Sequence, residues 1–165
     1  MKISPRVFFI TLAVLCLGLV AFAYYLQHGE RQQPCPLCIL QRYAYLFIAA
    51  FALVAGLHNP DRIGRLIYLG FIDLISASGL GLAIWQLTKG DTMQSCLADP
   101  IGDFVNRLPS ANWWPELFFA TGGCADKYPP IMGLSVPTWS LVCFAAITSL
   151  SGWMMAKSMQ KPARS

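Results

Sequence analysis

Charge is what this chain has least of. Of its 165 residues only 12% are Asp, Glu, Lys or Arg, and 56% are hydrophobic. A soluble globular domain carries roughly 25% charged residues, so an ordinary water-facing fold is excluded and a membrane protein is indicated. There is no internal repeat, no low-complexity tract and no linker-like stretch. Solenoid architectures and a second domain are therefore not expected, and residues 1–165 read as a single membrane domain. The formal net charge of +4 matters through its distribution and not its total, so no nucleic-acid partner is expected.

What is present is apolar sequence in four long runs. A helix needs roughly 20 mostly apolar residues to cross the hydrocarbon, and candidate spans fall at about residues 7–26, 40–57, 66–87 and 139–156. Only "HNPDRIGR" joins the second to the third, whereas residues 88–136 form a long loop rich in Pro, Gly, Asp and Trp. On one side of such a bundle lie Lys2, Arg6, Arg62, Arg65, Lys157, Lys161 and Arg164 against Asp61 alone. On the other, Arg31, Arg42, Lys89, Arg107 and Lys127 are outweighed by Glu30, Asp91, Asp99, Asp103, Glu116 and Asp126. The positive-inside rule puts both termini in the cytoplasm and the long loop outside. "AFA" at Ala21–Ala23 resembles a signal-peptide cleavage site, but the apolar run continues through Leu26, longer than a signal core, so an uncleaved first span is expected.

Topology sorts the six cysteines. Cys16 and Cys143 fall inside spans one and four among apolar neighbours and read as packing residues. Cys35, Cys38, Cys96 and Cys124 share the outer side, where disulfides persist and two bridges could form in three ways. Structural staples, a four-thiolate zinc site and redox exchange all compete for them. Zinc ribbons use two closely spaced pairs, which Cys96 and Cys124 do not supply, so no metal is expected. A C-x-x-C pair closes too small a loop to constrain an unfolded chain much, so its spacing suits chemistry better than stapling. Pro36 fits the first position of a helix, which puts Cys38 in the first turn, where free N–H groups and the helix dipole favour a thiolate. Arg42 follows one turn deeper on the same face, placed either to serve that sulfur and an acceptor beside it or to reach headgroups as an interfacial arginine.

In the long loop, Ile101, Phe104, Val105 and Leu108 repeat with helical spacing while Asp103, Asn106 and Arg107 take the other side, and Trp113-Trp114 follow. This predicts a short helix lying in the membrane interface. Gly122-Gly123 immediately before Cys124 predict a segment free to move. Asp73, an acid within span three, is expected to face the bundle and hydrogen-bond there.

"PCPLCILQR", "CLADP", "WWPELFFATGGCAD" and "GLSVPTW", in that order, resemble the signatures of the bacterial disulfide bond formation protein B (DsbB) family. The resemblance implies an all-α four-transmembrane-helix bundle of the bacterial inner membrane, with a long periplasmic loop. It also implies a thiol oxidase that reoxidises a periplasmic DsbA-type, thioredoxin-fold dithiol oxidase and passes the electrons to a membrane quinone, ubiquinone or menaquinone. By position, Cys35–Cys38 would be the quinone-facing disulfide with Cys38 against the ring, and Cys96–Cys124 the loop disulfide with Cys96 joining the partner. Arg42 matches the family's quinone-side arginine. A histidine that some members carry late in span three is absent from "IWQLTKGD", where Gln86 is the nearest polar residue. A vitamin K epoxide reductase-like enzyme would share the chemistry but not this motif order, and a membrane scaffold with two structural disulfides would share the cysteines but not turnover.

Only outer-side thiols can relay exchange on this reading. Cys35→Ser and Cys38→Ser are each expected to abolish thiol oxidation coupled to quinone reduction, whereas the Cys16→Ala/Cys143→Ala double variant keeps most of it. Quinone absorbance followed during oxidation of a reduced partner checks both, and loss of turnover in a folded double variant would overturn the sorting.

Overall fold

In a computed structural model, residues 4–89, 100–123 and 130–160 are described. Seven helices account for their regular structure: α1 (Pro5–Gly29), α2 (Pro36–His58), α3 (Arg62–Lys89), α4 (Pro100–Asn106), α5 (Pro109–Trp113), α6 (Pro115–Phe118) and α7 (Val136–Gln160). The four long ones, α1, α2, α3 and α7, are each long and apolar enough to cross a membrane. Each contains one of the runs expected from sequence and extends beyond it at both ends. Lys2, Asp91, Asp99, Asp126, Lys127, Lys161 and Arg164, used above for orientation, lie outside the described residues.

Local chemistry sets the helix ends. The Ser4 side chain accepts a hydrogen bond from the Val7 amide (3.3 Å) and Pro5 occupies the first position of α1. Asn59 closes α2 in the left-handed region (φ 46°), with its N–H donated to the Ala55 carbonyl, and Pro60 then prevents continuation. The Asp61 carbonyl accepts from the Arg65 amide as α3 begins. At the far end of α7 the Arg62 side chain donates to the carbonyls of Ser158 (2.9 Å) and Met159 (2.6 Å), satisfying two groups that a helix terminus leaves free.

The four long helices pack in sequence, α1 on α2, α2 on α3 and α3 on α7, while α1 and α7 scarcely touch. Phe9, Leu12, Cys16 and Val20 of α1 share one core with Tyr45, Ile48 and Ala52 of α2, Leu69 and Ile72 of α3, and Phe144 and Ile147 of α7. Glycine permits two close approaches between these helices. A Cβ on Gly56 would stand 2.8 Å from Ile10 Cγ1, and one on Gly79 would stand 2.5 Å from the Phe144 ring. Phe144 thus lies flat between α3 and Tyr45, with which it stacks at 4.2 Å. Outward faces carry Val14, Leu17, Phe22, Phe47, Val54 and Ile67 in exposed positions, as lipid-facing helices require.

Asp73 faces the bundle as expected. Ser151 of α7 donates to its Oδ1 (2.7 Å), and the hydroxyls of Ser76 and Thr148 pair at 2.8 Å across the same interface. Interhelical hydrogen bonds of this kind join helices where lipid supplies no hydrophobic drive between them.

The loop departs from the single short helix read from its periodicity. Pro100, Pro109 and Pro115 each open a separate short helix, because proline suits a first helical position and interrupts a preceding one. Val105 is fully buried with Ile39 and Ala120, and Ile101 packs against them, whereas Phe104 is 60% exposed. The apolar stripe is therefore split between the protein and the outside.

Filling the Gly79 gap tests this packing. Gly79→Ala is expected to displace Phe144 and destabilise the bundle by about 1–3 kcal/mol, the usual cost of overpacking. Thermal unfolding of the detergent-solubilised protein reads the loss, and Phe144→Leu in the same chain should recover part of it.

Candidate redox site

Pro34 and Pro36 bracket Cys35, which has an extended backbone (φ −80°, ψ 161°) and serves as the N-cap of α2. Its sulfur accepts a hydrogen bond from the Cys38 amide at 3.3 Å, the cap interaction more often made by a hydroxyl or carboxylate. The cap and the single turn that follows bring the Cys35 and Cys38 sulfurs to 2.7 Å, with both thiols free. Closing to the roughly 2.0 Å of a disulfide requires only a small side-chain rotation. Cys35 is buried and Cys38 half-buried. The hydrogen bond to Cys38, and after it burial, holds the Cys35 thiol far above the usual thiol range. Of the two sulfurs, Cys35 is the one disposed to keep a proton.

Arg42 does follow one turn deeper, but it does not reach outward as an interfacial arginine would. It is 7% exposed. Nη1 donates to Gln27 Oε1 of α1 (2.9 Å) and to the Leu117 carbonyl (2.8 Å), and Nη2 lies 3.5 Å from the Ala23 carbonyl. Its charge also acts on the sulfur of Cys38 and, more weakly, on that of Cys35. A buried guanidinium is tolerable only with such partners.

Gln86 of α3 also reaches the sulfur pair. Its Nε2 donates to both sulfurs at 3.3 Å, and its Oε1 accepts from Gln41 Nε2 at 2.9 Å. Beside this group lies a cavity of about 370 Å³. Leu19, Phe22, Ala23 and Leu26 of α1 and Val136, Trp139 and Cys143 of α7 form its walls, and Cys35, Cys38, Gln41, Arg42 and Gln86 form its polar end. Cys16 is fully buried in the core, as its sequence context indicated, whereas Cys143 reaches the cavity wall.

Cys96 and Cys124 lie outside the described residues, but the chain leading to Cys124 is fixed close by. Thr121 and Gly122 both donate their N–H groups to the Pro34 carbonyl at 3.1 Å, and Gly123 lines the cavity. Gly122 is buried, and a Cβ there would collide with the Gln33 carbonyl. Its glycine answers a close approach of two backbones and not the free movement expected from the Gly-Gly pair. Asn106 holds the same stretch from behind, exchanging two hydrogen bonds with the Ala120 backbone (3.2 and 2.9 Å). Tyr43 stacks on Phe118 and hydrogen-bonds Ser110, and Tyr24 and Gln27 of α1 donate to Glu116.

Sequence reading missed Gln27, Gln41 and the Leu117 carbonyl. Gln41 had a signal, an amide within an apolar run and within one helical turn of both Cys38 and Arg42, whereas Gln27 was marked only as an amide at the end of the first apolar run. The carbonyl had none, because only the path of the loop brings it to Arg42.

The family model for disulfide bond formation protein DsbB matches residues 5–154. A disulfide bond formation protein B of Nitrosomonas europaea is 41% identical over 150 residues, covering 89% of this chain and 91% of its own. That of Ralstonia nicotianae is 41% identical over 143 residues, with 86% and 88% covered, and that of Nitrosomonas eutropha is 39% identical over 155, with 92% and 95% covered. A four-helix apolar bundle with a paired-thiol cap at the head of its second long helix, matched over residues 5–154, is a multi-pass membrane oxidoreductase of disulfide bond formation, and the chain belongs to the DsbB family.

Proposed function

We propose that this chain, as one four-helix membrane domain, reoxidises a periplasmic DsbA-type dithiol oxidase and delivers the electrons to a membrane quinone. The observation that carries this reading is the Cys35–Cys38 pair at the polar end of an apolar cavity of about 370 Å³, with the buried Arg42 cation beside it. The orientation follows the charge asymmetry, with both termini cytoplasmic and the redox end at the periplasmic face of the inner membrane. Exposed Trp113 (89%) and Trp114 (56%) suit helices α4–α6 resting at that surface.

The sequence of exchange uses the four outer cysteines. A thiolate of the partner attacks Cys96, breaking a Cys96–Cys124 disulfide and forming a mixed disulfide. The partner's second thiolate then attacks its own sulfur in that bond, so the partner leaves as a disulfide with two electrons and two protons removed. The loop cysteines, now reduced, pass the same two electrons to a Cys35–Cys38 disulfide and are themselves reoxidised. Thr121 and Gly122, bonded to Pro34 beside Cys35, hold the Cys124 arm near that pair.

The cavity fits a quinone: its walls are aliphatic and aromatic, and hydrogen-bond donors stand at one end. When bound, such a group supplies an acceptor for two electrons and two protons. Cys38 and Arg42 would hold its polar ring and α1 and α7 its apolar part. Arg42 offers a fixed planar cation at that end, and Cys35 is the sulfur disposed to retain a proton.

Arg42→Lys tests the assignment. Lysine keeps the charge but loses the planar fork that reaches Gln27 and Leu117 together. Loss of one hydrogen bond to a charged group, worth roughly 1.5–3 kcal/mol, is expected to raise the apparent KM for quinone at least about tenfold. A mixed disulfide trapped on Cys96 with Cys124→Ser should still form. Titration of quinone at fixed reduced partner gives the answer, and an unchanged quinone dependence would sink the role given to Arg42.

A further inference from the structure

Two buried amides stand behind the sulfur pair. Gln41 is 5% exposed and Gln86 6%. Hydrocarbon side chains would fill the same space without the cost of removing an amide from water, so their presence at this one place calls for a chemical reason.

Their hydrogen bonds run in one direction. Gln41 Nε2 donates to Gln86 Oε1 at 2.9 Å, which leaves Gln86 Nε2 to donate to the sulfurs of Cys35 and Cys38 at 3.3 Å each. A glutamine amide can face the sulfurs with either end. The donor from Gln41 selects between them, since the Gln86 oxygen cannot serve that N–H and turn to the sulfurs together. A thiolate accepts such a hydrogen bond strongly and a disulfide sulfur weakly.

We propose that Gln86 is a further catalytic residue of the sulfur exchange, in contact with both reacting sulfurs, and that Gln41 is the positioning residue that keeps its N–H groups aimed at them. Together they favour the reduced state of the pair. Reduction by a dithiol breaks the Cys35–Cys38 bond and consumes two electrons, while the dithiol becomes a disulfide and releases two protons. One proton stays on Cys35, the other goes to solvent, and Cys38 remains as the thiolate that Gln86 stabilises. The late-α3 position of Gln86 thus serves sulfur, in a chain that lacks the histidine some relatives carry there.

The inference rests on Cys35–Cys38 being a redox pair, and a potential measurement separates the two claims. The full-length protein in detergent is equilibrated with mixtures of reduced and oxidised dithiothreitol. Thiols are trapped by alkylation, and the peptide holding Cys35 and Cys38 is quantified by mass. Gln86→Met, similar in size but without a donor, is expected to lower the equilibrium constant for reduction about tenfold, or about 30 mV for a two-electron couple. Gln41→Met shifts it the same way by less. Gln41→Glu shifts it further than Gln41→Met, because a carboxylate without donors draws the Gln86 N–H groups to itself and turns Oε1 toward the sulfurs. A Gln86→Met potential equal to wild type would overturn the proposal, as would Gln41→Glu and Gln41→Met variants that coincide. If Gln86→Met does not fold, the two Gln41 variants decide alone. Failure of the redox reading itself has a different sign: Cys38→Ser would retain thiol oxidation, whatever the potentials.

Discussion

A guanidinium cannot lose its proton, so an arginine buried in an apolar bundle must be surrounded by oxygen. Arg42 imposes that condition on two separate parts of the chain. It takes the Gln27 side chain and the Ala23 carbonyl from α1 and the Leu117 carbonyl from the short-helix segment. Those bonds fix the depth of α1 beside α2 and the height of the loop above both. The cavity wall, the loop's approach to Pro34 and the cation near Cys38 are consequences of the same burial. At the rim, Tyr24 and Gln27 of the same helix add contacts to Glu116.

Around that anchor, backbone chemistry does what side chains alone could not. Cys35 caps α2 and so presents its sulfur to Cys38, and the Pro34 carbonyl just before it collects two N–H groups from the segment leading to Cys124. Both features follow from the Pro-Cys-Pro order. Proline on each side keeps the cysteine extended and starts the helix immediately after it. At the other end of the bundle the requirements are simpler: Arg62 satisfies the last carbonyls of α7, and the Asp73–Ser151 bond joins α3 to α7.

The four spans were legible because hydrocarbon thickness sets a length that the apolar runs of this chain display openly. The head of α2 was legible as well: Pro36 marked its start and thereby fixed where Cys38 and Arg42 would stand. Less of the loop could be read. Periodicity from Ile101 to Leu108 identified a helical tendency, but the prolines cut it into turns, and tertiary contact with Ile39 claimed Val105 while leaving Phe104 out. Gly122 illustrates the limit most clearly. A glycine beside another glycine reads as freedom, yet here it marks the point where two backbones touch. Gln86 was visible only as an isolated polar residue late in α3; that its amide faces sulfur depends on the crossing of α2 and α3, which no local pattern encodes.

Helices α1 and α7 both wall the cavity and yet scarcely touch each other. On the quinone reading, a chamber bounded on that side by a seam between two lipid-facing helices would draw its occupant from the bilayer. A quinone there would be a solute of the lipid, and its effective concentration would be counted per lipid molecule and not per litre of buffer. Saturation then depends on how strongly the ligand partitions into the membrane and on how much membrane there is. Apparent affinities for short-chain and long-chain ligands will differ through partitioning even when every contact at the polar end is the same.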